Sequence, residues 1–436
     1  MTICGYPLAT NNVRAHSMAW PSQKSALRKR LNIRWMRWAC WRAVFRCVPL
    51  ARIFSFPLEN VAALSVADLL IENTRFSRTA RFADRDRQLI RDAAANDKLN
   101  DAAEPGFPPV FRRQIAILPN CAVLGHVGVA IKSDTGAMLA RMAGGRPNWN
   151  WARPGRLSSR RPLDDGLASF LKSSQHYFHF IASLLPLLSY LDRRENADEK
   201  LTVFVAANGP DFQHQVCNAV ANAYPGVRFE ALAPDERVEI RRYLWLHESC
   251  GNAEWLPVDR VGGARLAALI RDHYRVAERG VGRLMFFSRG HARQRRLLNE
   301  GELEAIAAAC GFERFEAHSG NHGEQVRRFG EADVIVAVHG AGLTNLLFAR
   351  PGSTVIEIFP ENCIKSTYLW LARQMGLHYR ALIGGPGDYR QAFQLPADRF
   401  AAEINETLRA RRNGAPPQPA SPPPEAAAEM PLRLSG

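Results

Sequence analysis

None of the eight cysteines stands in a CxxC pair, and they are scattered from Cys4 to Cys363. That spacing excludes a zinc module and a dithiol redox pair, and it suits free thiols in a reducing, cytoplasmic compartment. No run approaches about eighteen apolar residues, so no membrane-spanning helix is expected. The N-terminus has no clean apolar core behind its first basic residues, which argues against a signal peptide. Acidic residues are the scarcer charge, 42 against 57 Lys and Arg, for a net charge of +15 and a pI near 9.9. Three kinds of partner suit that excess: nucleic acid, an anionic membrane surface, or a phosphate-bearing small substrate. No recognised nucleic-acid module occurs, so no specific nucleic-acid partner is expected.

What is present is a long chain of ordinary composition, 436 residues with 47% hydrophobic. That length suggests two domains plus extensions. Residues 1–60 stand apart, with ten Lys and Arg against the single acidic residue Glu59. Within 33–56, Trp38, Trp41 and Phe45 fall at helical spacing among five arginines. An interfacial helix on an anionic bilayer, a helix packed on the protein body and a non-native leader all fit this stretch. Residues 61–260 read as a first domain, with a small β-rich meander at 110–140 punctuated by Asn120, Gly125 and Gly128. Ser173–Leu191 reads as a helix carrying His176, His179 and Ser183 on one strip, with Pro186 bending it. Residues 261–412 repeat an α/β beat more clearly, and 413–436, rich in proline and alanine, read as a disordered tail.

The centre of the reading is 334–357, VIVAVHGAGLTNLLFARPGSTVIE. An apolar run, a glycine-bracketed turn, a helix beginning near Leu343, a Pro-Gly turn and a second apolar run make one crossover of a parallel sheet. Open α/β sheets bind ligands at the C-terminal ends of their strands. Gly340, Ala341 and Gly342 let backbone approach a ligand, and free amides through Leu343 suit a phosphate; simple turn geometry explains the glycines equally. The loop is not the dinucleotide GxGxxG pattern, so no nicotinamide cofactor is inferred. His339 is placed to act on a ligand or to order the loop. Asn345 offers a polar contact, and Thr344 either does the same or supports the first turn. Glu357 would hold ribose hydroxyls or pair with an arginine. The loop 289–296 puts five basic or histidine side chains in eight positions, a clamp for a diphosphate or a solvated charge run. Within it Arg293 and Arg295 read as the more solvated members. Asn299 and Glu302 have capping-box spacing, and Glu324 with Gln325 either trim a base pocket or start a helix.

These residues resemble glycosyltransferase family 61, in its bacterial capsular-polysaccharide form. The matching positions run from Ser288-Arg289 through Arg296, Asn299-Glu300, Glu324-Gln325, His339–Leu343 and Asn345 to Glu357, with Tyr177-Phe178-His179-Phe180 upstream. The resemblance implies an α/β protein of GT-B type, two facing Rossmann-like domains with an interdomain cleft, and inversion at the anomeric carbon with no obligatory cofactor or metal. It implies a nucleotide sugar, UDP-linked, as donor and a saccharide or lipid-linked glycan as acceptor, at the inner face of the cytoplasmic membrane. The donor set is then Arg289, Arg296, Asn299, Glu324, Gln325, Gly340, Ala341, Gly342, Leu343, Asn345 and Glu357, with His339 and His179 as the catalytic candidates. Relatives commonly carry an acid four positions after the upstream histidine and an arginine after the proline. Here Ser183 and Leu187 stand there, so the base is either His179 or another group, and a catalytically weakened binding or assembly protein is the alternative.

Overall fold

The computed structural model describes residues 58–59, 111–125, 129–134, 138–139, 158–167, 176–194, 199–207, 209–250, 260–276, 282–365 and 367–413. The basic N-terminal stretch and the proline-rich tail lie outside these residues. The chain divides into Met1–Phe56 and Pro57–Gly436, and everything described belongs to the second unit.

The first sheet is mixed. In chain order it holds β1 (Leu58–Glu59), β2 (Phe111–Leu124), β3 (Val129–Lys132), β4 (Met138–Leu139), β5 (Ser158–Ser159), β6 (Leu163–Leu167), β7 (Leu201–Ala206), β8 (Val227–Leu232) and β9 (Glu236–Cys250). β2, β3 and β4 form the expected antiparallel meander, but Asn120 is no turn between two strands. It is a kink with φ 50° inside one long strand, a conformation asparagine tolerates better than most residues. β2 runs antiparallel to β9 along most of its length, whereas β6, β7 and β8 run parallel to one another. The sheet therefore departs from the uniformly parallel, Rossmann-like half that the resemblance implies. Helices α1 (Tyr177–Arg193), α2 (Asp211–Ala223) and α3 (Arg260–His273) accompany it, and Pro186 lies inside α1. No helix among the described residues is long and apolar enough to cross a membrane.

The second sheet follows from apolar runs that do not alternate, which is the pattern of strands covered on both faces. It contains β10 (Arg283–Ser288), β11 (Phe312–Glu316), β12 (Ala332–Val338), β13 (Thr354–Phe359) and β14 (His378–Ile383), all parallel, in the order β11-β10-β12-β13-β14. Met285, Phe287, Ile335 and Ala337 pack on one face; Phe286, Val334, Val336 and Ile356 pack on the other. The second face is covered by α4 (Glu300–Ala309) and α7 (Ala397–Arg412) through Leu303, Phe400 and Ile404. The first is covered by α5 (His322–Glu331), α6 (Thr367–Gln374) and the segment Ala341–Phe348. That segment is a 3-10 helix rather than an α-helix. Leu188 and Val203 share one apolar cluster with Ile335 and Phe348, so a single core runs from the α1–α3 layer into the parallel sheet. Burial of this kind supplies roughly 25 cal/mol per Å² of apolar surface and holds the two parts together.

Candidate active site

Strand order decides where a ligand meets this sheet. The chain leaves β10 towards β11 on one side and reaches β12 on the other, so the β10 and β12 ends flank a topological switch point. Crevices at such points, outside the C-terminal strand ends, are where open α/β sheets hold ligands. Arg289 is the first residue beyond β10, and His339 the first beyond β12.

The two loops touch. A Cβ added to Gly340 would sit 1.2 Å from Nη1 of Arg289, so the guanidinium lies directly on the glycine. Gly340 has φ 167°, extended backbone open to any residue, and its need is for space. Gly342 is similar: an added Cβ would come within 2.5 Å of the Phe287 ring. Close approach, and not turn geometry, explains this pair of glycines. The Arg289 guanidinium has no carboxylate partner among the described residues: its Nη2 donates to the Gln294 carbonyl at 3.4 Å, and its buried Nε has no hydrogen-bond partner among them. Burial, with Arg295 second, pushes its guanidinium down to about 10. The backbone of Arg289 is fixed by Glu300, whose Oε1 accepts from its amide at 2.8 Å. Arg295 adopts φ 55° and turns back to the site, donating from Nε to the His339 carbonyl at 3.1 Å and from Nη1 to Gln391 Oε1 at 3.2 Å. A half-buried cation with no counter-ion beside a second arginine is costly unless an anion meets it.

His339 is only 5% exposed and Glu357 is fully buried. Nδ1 of His339 lies 2.5 Å from Glu357 Oε1, and Tyr379 donates its hydroxyl to Oε2 at 2.6 Å. The imidazole stacks on Phe359, with ring centres 5.1 Å apart and planes inclined at 24°. Burial holds His339 neutral, well below its ordinary value, and Arg295, Arg289 and Lys365 push the same way. Burial raises Glu357 to about 8 against the opposing pull of Tyr379 and Arg295. Glu357 therefore does not end its strand facing open space, as a ribose-binding carboxylate would; both its oxygens are turned inward.

A second polar network holds the 341–348 segment from below. Asn345 is fully buried; its Nδ2 donates to Gln325 Oε1 at 2.8 Å and to the Gly342 carbonyl at 3.0 Å. Tyr177, the first residue of α1, donates to Asn345 Oδ1 at 2.7 Å. The Tyr177 oxygen then accepts from His322 Nε2 at 2.7 Å, and Nδ1 of His322 accepts from Tyr274 at 2.9 Å. Gln325 donates to the His318 carbonyl and to Asn321 Oδ1. This proton order fixes a neutral His322, and burial, aided by His273, lowers it to about 4. The unfolded chain, at the ordinary histidine value of 6.5, binds that proton first, so the stability it confers is complete above about 6.5 and is lost as pH falls towards 4. The loss is about 3 kcal/mol. Denaturant midpoints between neutral and acidic pH should fall more steeply for the native chain than for His322→Gln.

Several expected residues stand elsewhere in the arrangement. The Leu343 side chain is core and its amide already donates to Gly340 O at 2.9 Å, which leaves Gly340, Ala341 and Gly342 as the loop's candidate phosphate ligands. Arg296 is exposed and its side chain forms no hydrogen bond or ion pair with another described residue, while its carbonyl accepts from Phe393. Arg295, expected to be solvated, is the loop arginine that reaches His339. Asn299 precedes α4 without capping it and instead holds the Leu395 backbone and Glu302. Glu324 pairs with Arg327 and Arg328, and Thr344 donates to Ala341 O as a turn support. His179 is an exposed residue of α1, not a core histidine; partial burial and His176 lower its pKa. Ser183 does not share that exposed strip, for it is 8% exposed and donates to the Phe180 carbonyl at 2.8 Å. Leu187 is fully buried. A relay of ring contacts, His179 with Phe178, Phe178 with Tyr368 and Tyr368 with His339, connects α1 to the switch point. Sequence pattern assigned no role to Tyr274, His322 or Tyr379, and it offered Tyr177 only as a member of the motif around His179. No spacing signals the bond that Tyr177 makes across 168 residues. Among the described residues no group of three or more His, Cys, Asp or Glu is placed to hold a metal ion.

Comparison with known proteins gives short, consistent matches. The chain is 33% identical over 128 residues to alpha-1,3-arabinosyltransferase XAT2 of Oryza sativa subsp. japonica, covering 27% of this chain and 21% of that protein. It is 37% identical over 59 residues to beta-1,2-xylosyltransferase of Arabidopsis thaliana, covering 14% and 11%. It is 35% identical over 91 residues to EGF domain-specific O-linked N-acetylglucosamine transferase of Gallus gallus, covering 20% and 17%. The matched stretch thus spans about a fifth or less of the length of these curated relatives. Residues 177–356, which contain Tyr177, Arg289, His339 and Asn345, match the family Glycosyltransferase 61.

Proposed function

We propose that the protein is a glycosyltransferase that takes a nucleotide-sugar donor, UDP-linked, at the β10–β12 switch point and transfers the sugar with inversion to a saccharide or lipid-linked glycan. The Arg289 guanidinium, held on Gly340 at the strand ends with no carboxylate partner among the described residues, is the observation that carries this reading. Arg289 and the amides of Gly340–Gly342 take the diphosphate, and Arg295 adds charge from behind the His339 carbonyl. As the sugar–phosphate bond breaks, negative charge grows on the leaving diphosphate, and donors already in place stabilise it without reorganising. His339 contributes a neutral ring nitrogen at the same edge. The acceptor hydroxyl needs a base, and His179 is our assignment: it is exposed and keeps a neutral form at physiological pH. In this reading the fold works as a GT-B arrangement, with the β6–β8 layer and α1 facing the donor half. The glycan belongs to cell-surface or capsular polysaccharide, made on the cytoplasmic side with residues 33–56 on an anionic membrane.

The second reading is a non-catalytic nucleotide-sugar-binding or assembly protein. It is favoured by Ser183 and Leu187, which turn inward where relatives carry charged groups. Calorimetric titration with UDP and transfer assays over a panel of UDP-sugars separate the readings. Binding with transfer that His179→Ala abolishes supports the enzyme. Binding without transfer by the native chain supports the second reading, and failure to bind any nucleotide sugar overturns both. His339→Ala should weaken UDP binding roughly tenfold.

A further inference from the structure

Glu357 is an ionisable group with neither solvent nor a compensating arginine at its oxygens. Its partners are His339 on Oε1 and Tyr379 on Oε2, and Phe359 holds the imidazole plane. Tyr379 donates to Oε2, so a proton carried by the carboxyl sits on Oε1 and donates to Nδ1. A neutral imidazole accepting at Nδ1 has its own proton on Nε2. Loss of the carboxyl proton reverses the ring: Nδ1–H then donates to the carboxylate, and Nε2 becomes an acceptor. Nε2 has no hydrogen-bond partner among the described residues and is not among the buried unpaired atoms, so it is the nitrogen left for a ligand. The groups whose charge acts on the pair are Arg289 and Arg295 from the loop after β10, Lys365 ahead of α6, Tyr368 on α6 and Tyr379 on β14. Three of these are cations, so an anion is the ligand the face is built to meet.

We propose that Glu357 is a positioning residue that sets the hydrogen-bond polarity of His339, presenting Nε2–H to an anionic phosphate oxygen when the carboxyl is protonated and withdrawing that donor when it ionises. The proposal rests on the phosphate-binding reading above and replaces ribose contact as the role of Glu357. Burial places the change near pH 8, close enough to neutrality to act within a cell. Glutamine is the telling substitution. Its amide donates to Nδ1 while its oxygen accepts from Tyr379, so it reproduces the protonated pair and cannot ionise.

The experiment is titration of inorganic pyrophosphate and of UDP into the full chain, from about pH 6.5 to about pH 9, for the native protein, Glu357→Gln, Glu357→Ala and Tyr379→Phe. Ligand titration is common to all four and cancels in the comparison. Native affinity should fall about tenfold more across that range than the affinity of Glu357→Gln. Tyr379→Phe, which loses the bond that favours the ionised carboxyl, should move the fall to higher pH, and Glu357→Ala should bind weakly throughout. A native pH profile reproduced by Glu357→Gln overturns the proposal. If the native chain binds neither probe, the phosphate-site reading fails instead. Nitrogen-15 histidine spectra of the free protein then test the dyad alone, the His339 signal being assigned by His339→Ala. An Nε2–H tautomer at about pH 6.5 that reverses at about pH 9, and does not reverse in Glu357→Gln, supports it; an unchanging tautomer refutes it.

Discussion

Gly340→Ala is expected to lower nucleotide affinity by ten- to a hundredfold while leaving the chain folded. The added methyl would occupy the place of the Arg289 Nη1 atom, 1.2 Å away, and the guanidinium must leave. What moves is the far end of a flexible side chain, so the cost to stability should stay near ~1 kcal/mol. The cost to binding is that of a charge-assisted hydrogen bond, about 1.5–3 kcal/mol, or roughly ten- to a hundredfold. Gly342→Ala is the contrasting case, because its methyl meets the rigid, buried Phe287 ring and should cost about 2 kcal/mol of stability. Calorimetric titration with UDP beside denaturant unfolding separates the two. Native affinity in Gly340→Ala would show that Arg289 does not meet the ligand from this position.

Asn345→Ala should be the most damaging single change among the polar residues, at about 3 kcal/mol of stability. Asn345 is fully buried and its amide serves three partners, the Tyr177 hydroxyl, Gln325 Oε1 and the Gly342 carbonyl. Alanine leaves each of these without its bond in a place water does not reach. Tyr177→Phe removes the links to Asn345 and to His322, and the double variant should be less destabilised than the sum of the singles by about 1 kcal/mol, because the two changes share the Tyr177–Asn345 bond. Additive losses would mean the Tyr177–Asn345 contact carries no energy. Since the network ends on Gly342, UDP binding should weaken in Asn345→Ala as well, in protein that is still folded at low temperature.

Much of this arrangement was legible in the chain. Non-alternating runs such as ADVIVAV could only be strands covered on both faces, and their C-terminal residues, Arg289 and His339, had to lie at one edge of a parallel sheet. Local pattern sufficed because backbone hydrogen bonding and burial are dictated by neighbours a few positions away. Those same local signals placed the 341–348 segment as a helix but not as the 3-10 helix it forms. They also joined β2 into hairpins at Asn120, where pairing with the distant β9 carries one strand through.

Side-chain partnership was the part that sequence left open. Glu357 at the end of an apolar strand is compatible with a ribose contact or an arginine pair; only the packing of β13 beside β14 brings Tyr379 to one oxygen while His339 closes on the other. Arg295 and Arg296 are adjacent and chemically alike, and the positive φ of Arg295 alone decides which of them turns back to the site. Composition and spacing determined by themselves that this chain builds a parallel α/β sheet with a basic, glycine-bracketed edge, because those properties are set residue by residue along the backbone. The tertiary structure decided that the Arg289 guanidinium lies on Gly340 without a carboxylate partner among the described residues, that Glu357 serves His339, and that Tyr177 and His322 hold the loop. Each of those facts depends on groups far apart in the chain meeting in the folded structure.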